Sequence, residues 1–346
     1  MTATPKWKAK RNKTKSLFVA LTSVLLLCAC SDAWAKDSFG NFGELEYMGS
    51  SLATRAELEK MLHLSPGAKY ASMEKACERV KKSLTDRRII CDTDIVDGGS
   101  DNLFVVIDIS EPGKIVPTRP LSDPRYIKVP TEKPNLILKE LRERLTLLTY
   151  DGRSFKETYS NGVKHYSDAV ADEKTRELAS YGSVPELRDA WLNIVQSDPN
   201  PDRRIDAIEL LNWSGNYPQT IFKIMPALDD VNKDVRVAVA KFIYPRLELL
   251  PYDFDFGKLT SAFCRQICRP SHGDRLRAMA CLSVLVRDKP EMVPPTREVA
   301  LDQINLIAER TRIPPLKELT ERVKLLLSNY REKTRTKKPV IEDSNF

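Results

Sequence analysis

The chain has 346 residues, 42% of them hydrophobic, which is enough for more than one packed core. Its 55 Lys+Arg against 48 Asp+Glu give a net charge of +7, but six basic residues stand before Ser16, leaving 49 against 48 in the rest. A nucleic-acid binder carries its positive charge on the folded part, so this balance argues against such a partner.

Residues 1–35 have the pattern of a secretory leader. Lys6, Lys8, Lys10, Arg11, Lys13 and Lys15 precede an uncharged run from Ser16 to Ala29. That run is short for a membrane span. Leu27-Cys28-Ala29-Cys30 resembles a bacterial lipoprotein box, which implies lipidation of Cys30 and attachment to a membrane through it. Ser31 after that cysteine points to the outer membrane, facing the periplasm. Ala33-Trp34-Ala35 instead suits ordinary signal-peptidase cleavage, which gives a soluble periplasmic or secreted chain.

Residues 36–111 read as a small α+β domain of order β-α-α-β-β. A strand at Glu44–Gly49 precedes a helix that starts at Thr54, with Glu57 three residues on, and stops at Ser65-Pro66-Gly67. A second helix places Met73, Ala76, Cys77, Val80 and Leu84 on one face. A hairpin follows: Arg88–Ile95, a turn at Asp97-Gly98-Gly99, and a strand in which Leu103, Val105, Ile107 and Ile109 alternate with Phe104, Val106, Asp108 and Ser110. This order, with Gly49, Leu62, Leu64, Gly67, Tyr70 and the closing Ile109-Ser110-Glu111, resembles the POTRA domain of envelope transport proteins. The alternating strands of a transmembrane β-barrel are absent after Glu111, so the chain is not itself an insertase. The resemblance implies that an envelope protein or extended peptide pairs with the edge strand, through Arg88, Ile90, Asp92 and Asp94. Phe104 and Val106 are expected to be partly exposed and to help receive it, unless the following linker covers them.

Six prolines between Pro112 and Pro134 exclude a helix or central strand, so residues 112–134 read as an extended connector, free or packed along a flank. Residues 135–330 then read as helical. Leu136–Leu148 is amphipathic, and Tyr150–Tyr166 is a loop with four aromatic residues. DRRIDAIELL at 202–211, DVRVAVAKFI at 234–243 and DRLRAMACLS at 274–283 repeat, with Arg204, Arg236 and Arg277 as equivalents. The pattern resembles HEAT repeats and implies an all-α solenoid with a concave binding face. Residues 331–346 read as a basic, solvated tail.

No catalytic constellation is present. His63, His165 and His272 are far apart, and no HExxH, GxSxG or phosphate-binding glycine loop occurs. Asp92, Asp94 and Asp97 lack the glycine and distal glutamate of a calcium loop. Cys264, Cys268, Cys281 and His272 have the composition of a metal site but lie on core-like stripes, as Cys77 and Cys91 do, so no cofactor or metal is expected. The reading is a non-catalytic interaction or scaffold protein of the cell envelope, with outer-membrane assembly or secretion as its setting. The alternative is a ligand- or cofactor-handling enzyme with its site in the helical groove.

Overall fold

The structure, a computed structural model, describes residues 40–49, 52–98, 102–110, 116–151 and 153–330. The leader with Cys30 and the tail from Arg331 lie outside the described residues.

The N-terminal unit comprises β1 (Asn41–Gly49), α1 (Arg55–Leu62), α2 (Tyr70–Asp86), β2 (Cys91–Asp97) and β3 (Asn102–Ile109). Its sheet has the order β1-β3-β2, with β1 parallel and β2 antiparallel to β3. The Thr54 side chain caps α1 by accepting the Glu57 N–H at 3.2 Å, and His63 ends that helix in the left-handed region. α2 turns Met73, Ala76, Val80 and Leu84, all fully buried, onto Leu45, Leu103, Val105, Ile107 and Ile109 of the sheet. Each Met, Val, Leu or Ile side chain among them contributes about 1.5–3 kcal/mol on removal from water, and the Ala76 methyl about 0.8 kcal/mol. Gly49 ends β1 at φ +133, where a Cβ would lie 2.1 Å from the Ile109 carbonyl oxygen. The site therefore requires glycine.

The helical unit begins with α3 (Lys133–Tyr150), whose Pro134 sits in the first turn, where a missing N–H costs nothing. The proline expected to belong to the connector is thus inside the helix. The aromatic loop forms a short hairpin, β4 (Glu157–Ser160) and β5 (Val163–Tyr166), turning at Asn161 and Gly162, both with positive φ. Phe155 packs edge-on against Tyr166, and Tyr159 lies under Arg246, so these rings hold the hairpin to its own unit. Tyr150 is exposed.

Then come α4 (Ala169–Gly182), α5 (Pro185–Ser197), α6 (Pro201–Leu210), α7 (Tyr217–Ile224), α8 (Lys233–Ile243), α9 (Phe256–Ile267), α10 (His272–Asp288), α11 (Val293–Arg310) and α12 (Pro314–Asn329). From α5 on they stack as pairs over one continuous core, the arrangement of an all-α solenoid. Asn200, Asn232 and Ser271 cap the second helices of three pairs.

A buried arginine repeats at the fourth residue of these second helices. Arg204, Arg236 and Arg275 each donate to the carbonyl six residues earlier, at 2.7, 2.8 and 3.3 Å. Each also reaches a carboxylate: Arg204 that of Asp230, Arg236 that of Asp274, and Arg275 that of Asp108. The third equivalent is therefore Arg275 and not Arg277, because the Ser271 cap starts α10 earlier than the Asp274 pattern suggested. The last rung leaves the helices altogether and ends on β3.

The connector is bound along the turns between paired helices. Arg269 donates to the Val116 and Pro117 carbonyls at 3.3 and 2.9 Å. The Arg119 and Arg125 N–H groups donate to the Asp229 and Ser197 carbonyls at 2.6 and 2.9 Å. Val129 is buried in the helical core. Of the two arrangements open to the connector, it adopts the one packed along a flank.

Candidate functional site: the sheet and its free edge

Because side chains alternate along a strand, the sheet has a second face, formed by Glu46, Met48, Asp92, Asp94, Val96, Phe104, Val106 and Asp108. This face lies on the helical unit. Met48 and Val106 are buried in the helical core, and Phe104 and Val96 pack against it. The expected partial exposure is thereby corrected for Val106, which is 0% exposed, whereas Phe104 is half-buried and so partly exposed. The helical unit covers Val106 fully and Phe104 in part, so Val106 is not free to receive a partner.

Polar contacts fix this docking strand by strand. On β1, Glu46 accepts from the Thr311 hydroxyl at 3.0 Å and from the Arg312 and Ile313 N–H groups at 2.7 and 3.2 Å, which places its carboxylate at the N-terminus of α12. On β3, Asp108 meets Arg275 in the first turn of α10 at 2.6 Å, with both side chains 2% exposed. On β2, Asp92 and Asp94 share Lys233, the first residue of α8, at 3.0 and 2.8 Å. Helix N-termini carry partial positive charge, so an acidic face suits a row of them. Burial lifts the Asp108 carboxyl to about 7 against the pull of Arg275, and it raises Glu46 and Asp94 as well. His272, buried beside this contact, is pushed down to about 3 by burial and then by Arg275, Arg277 and Lys233.

β1 and β2 are the outer strands of the sheet, and among the described residues the outer edge of β2 is open. The Ser110 N–H donates to the Ile90 carbonyl and the Gly98 N–H to the Asn102 carbonyl, which sets the phase of the antiparallel ladder. Asp92, Asp94 and Val96 therefore direct their main-chain groups to β3, while Cys91, Thr93 and Ile95 direct theirs outward. Among the described residues, nothing bonds to those outward groups. At the start of the edge, Thr85, Arg88, Ile89, Ile90 and Cys91 line a cavity of about 300 Å³. Ile90 is 51% exposed there, and Arg88 is held at φ +61. Of the residues expected to bind a partner, Arg88 and Ile90 lie at the open edge, whereas Asp92 and Asp94 are committed to Lys233.

The groove reading has less to build on. Burial pushes the Cys77 and Cys264 thiols up to about 12, and raises Cys281 further, which favours the protonated thiol at neutral pH. Among the described residues, no group of three or more His, Cys, Asp or Glu side chains is placed to hold a metal ion. A polar cavity of about 330 Å³ lies between α5 and α7, lined by Asp189, Leu192, Asn193, Gln196 and Lys223. Among the described residues, no helix is long and apolar enough to cross a membrane. The sequence reading missed Lys233, Arg275, Glu46 and Asp108; its available signal was a β3 strand apolar on both faces, the mark of a doubly buried strand. The chain matches no protein-family model and no curated protein.

Proposed function

We propose that the chain is a non-catalytic interaction protein of the bacterial cell envelope that takes up an extended peptide along the free edge of β2. The observation that carries this reading is the unpaired row of main-chain groups on Cys91, Thr93 and Ile95 beside the Ile90 cavity. Strand addition needs such a row and little else. The β-α-α-β-β order resembles a POTRA domain and the paired helices resemble HEAT repeats, which supports a scaffold in outer-membrane assembly or secretion. Attachment to the outer membrane through a lipidated Cys30, facing the periplasm, belongs to the same proposal.

The test is Thr93→Pro in the full-length protein. Proline removes an N–H that faces outward and so leaves the bonds to β3 in place. A charge at Ile95 is a poorer probe, because that side chain packs on the core under α1 and α2. The tagged protein is purified from its native host in mild detergent, and hydrogen exchange is read at Cys91, Thr93 and Ile95. A co-purifying protein that protects these amides, and that Thr93→Pro loses at unchanged melting temperature, supports the reading. Full exchange at all three in every complex recovered sinks it.

A further inference from the structure

The turn between α5 and α6 holds the connector in a way that the other turns do not. Asp198 Oδ2 accepts the Ile127 N–H at 3.3 Å, and Arg203 donates to the carbonyl of the same residue at 2.6 Å. The two side chains are tied to each other at 2.5 Å, and the Asp198 side chain is fully buried. Together they read both polar groups of one peptide residue, as a neighbouring strand would. The Arg203 guanidinium also lies 3.9 Å from the centre of the Tyr126 ring. Ile127 packs partly, and Val129 fully, against the helical core. The occupant is thus an extended segment with an aromatic residue, an aliphatic one next to it and another two further on.

The equivalent turns lack this pair. In the next repeat Asp230 corresponds to Asp198, and each accepts the N–H two residues on, but Asp230 is also engaged by Arg204, and Val235 stands where Arg203 does. One repeat further on, Arg269 and Asp274 take the two places with their charges reversed, and Asp274 is bound to Arg236. Outside the first turn, then, the carboxylates at these positions, Asp230 and Asp274, serve the ladder, and among the described residues Arg269 holds the connector by its Val116 and Pro117 carbonyls without an acidic partner for the N–H side. Pro124 and Pro130 flank the bound stretch and keep it extended before it binds, which lowers the entropy lost on ordering it.

We infer that Asp198 and Arg203 form a peptide clamp, that residues 125–129 are its intramolecular occupant, and that an extended segment of a partner protein, with an aromatic residue followed by aliphatic ones at the first and third positions after it, takes their place. This site is separate from the β2 edge and does not depend on it. Because the occupant is tethered, its effective concentration is on the order of millimolar, so a competing peptide binds the intact chain poorly. Loosening the connector should reveal the site.

The probe is a fluorescein-labelled peptide with the sequence of residues 120–131, followed by anisotropy with the full-length protein. The loosened chain carries Ile127→Pro, which removes the N–H that Asp198 accepts, and Val129→Ser. It is expected to bind the peptide at least tenfold more tightly than the unaltered chain. Adding Arg203→Ala should take that gain away, and so should replacing the peptide's tyrosine by alanine. A loosened chain that keeps its helical content and cooperative melting yet binds no better than the unaltered one overturns the inference. If the loosened chain does not fold, native-state hydrogen exchange of the unaltered chain decides. Amides of Arg125 and Ile127 that open well before those of α10 support an exchangeable occupant, and amides that open only with α10 overturn it.

Discussion

The Asp108–Arg275 pair is where the two units depend on each other most directly, and Asp108→Asn tests that dependence. The substitution keeps shape, volume and an accepting oxygen but removes the counter-charge of the Arg275 guanidinium, 2% exposed, which is left with neutral acceptors, the amide oxygen and the Arg269 carbonyl at 3.3 Å. Breaking a buried pair from one side costs about 3–5 kcal/mol, because the remaining charge is desolvated and uncompensated. Against a native stability of about 5–15 kcal/mol this is a large fraction. For a chain of this size about 2–4 °C is lost per kcal/mol, so the midpoint should fall by roughly 6–20 °C. Urea unfolding followed by circular dichroism measures the loss, and the double variant Asp108→Leu with Arg275→Met closes the cycle. Replacing both charges by apolar groups should recover most of the stability, since such isosteric replacements are commonly neutral or better. A loss below about 1 kcal/mol for Asp108→Asn, the range of an exposed pair, would mean that the sheet does not seal this contact from water.

His272 should make the protein acid-sensitive. Its imidazole is neutral in the fold, down at about 3, and titrates near 6.5 when unfolded, so its contribution is complete above 6.5 and is lost as pH falls from there towards 3. The raised carboxylates act in the opposite sense below about 7, so the comparison is with His272→Leu at each pH. The difference in unfolding free energy should be flat above 6.5 and change by about 1.4 kcal/mol per unit below it; a flat difference down to pH 4.5 refutes the burial argument. Gly49→Ala places a Cβ against the Ile109 carbonyl at positive φ, and should cost upward of about 1–3 kcal/mol in urea unfolding, with a neutral result contradicting the β1–β3 register. Thr93→Pro, which touches only the outward edge of β2, should shift stability by no more than about 1 kcal/mol; a larger loss would mean that the Thr93 N–H belongs to the ladder.

Much of the fold was legible because local chemistry fixed it. Thr54 with Glu57 announced a helix start, the apolar stripe of α2 gave its buried face, and Arg204 and Arg236 gave the repeat. The third repeat was misregistered because DRLRAM offers two arginines, and only the capping hydroxyl of Ser271 says which one falls fourth in the helix. The second face of the sheet was harder for a physical reason. Alternation says that Asp92, Asp94, Phe104, Val106 and Asp108 share a face, but a carboxylate on that face reads as solvated unless its cation is known. Those cations, Lys233 and Arg275, lie 139 or more residues away in sequence. Proline density likewise predicted an extended connector, but its anchors, Asp198, Arg203 and Arg269, are properties of the surface it meets.

The docked face and the open edge are connected through Lys233. By binding both Asp92 and Asp94 it holds β2, the outermost strand, over the first turn of α8. A strand added to β2 would continue the alternation of the sheet, sending one set of side chains towards α2 and the other towards the start of α8, where Val231 is 54% exposed. Main-chain pairing alone discriminates little between peptides. Selection would therefore rest on these two walls, one from each unit, so the helical unit would take part in choosing a partner that binds to the sheet. On the proposed strand addition, the acidic face would have a role beyond adhesion, because it sets the distance between the edge and α8. Four carboxylates satisfied by a lysine, an arginine and a helix N-terminus hold that distance more closely than an apolar contact would, since each bond has its own direction and length.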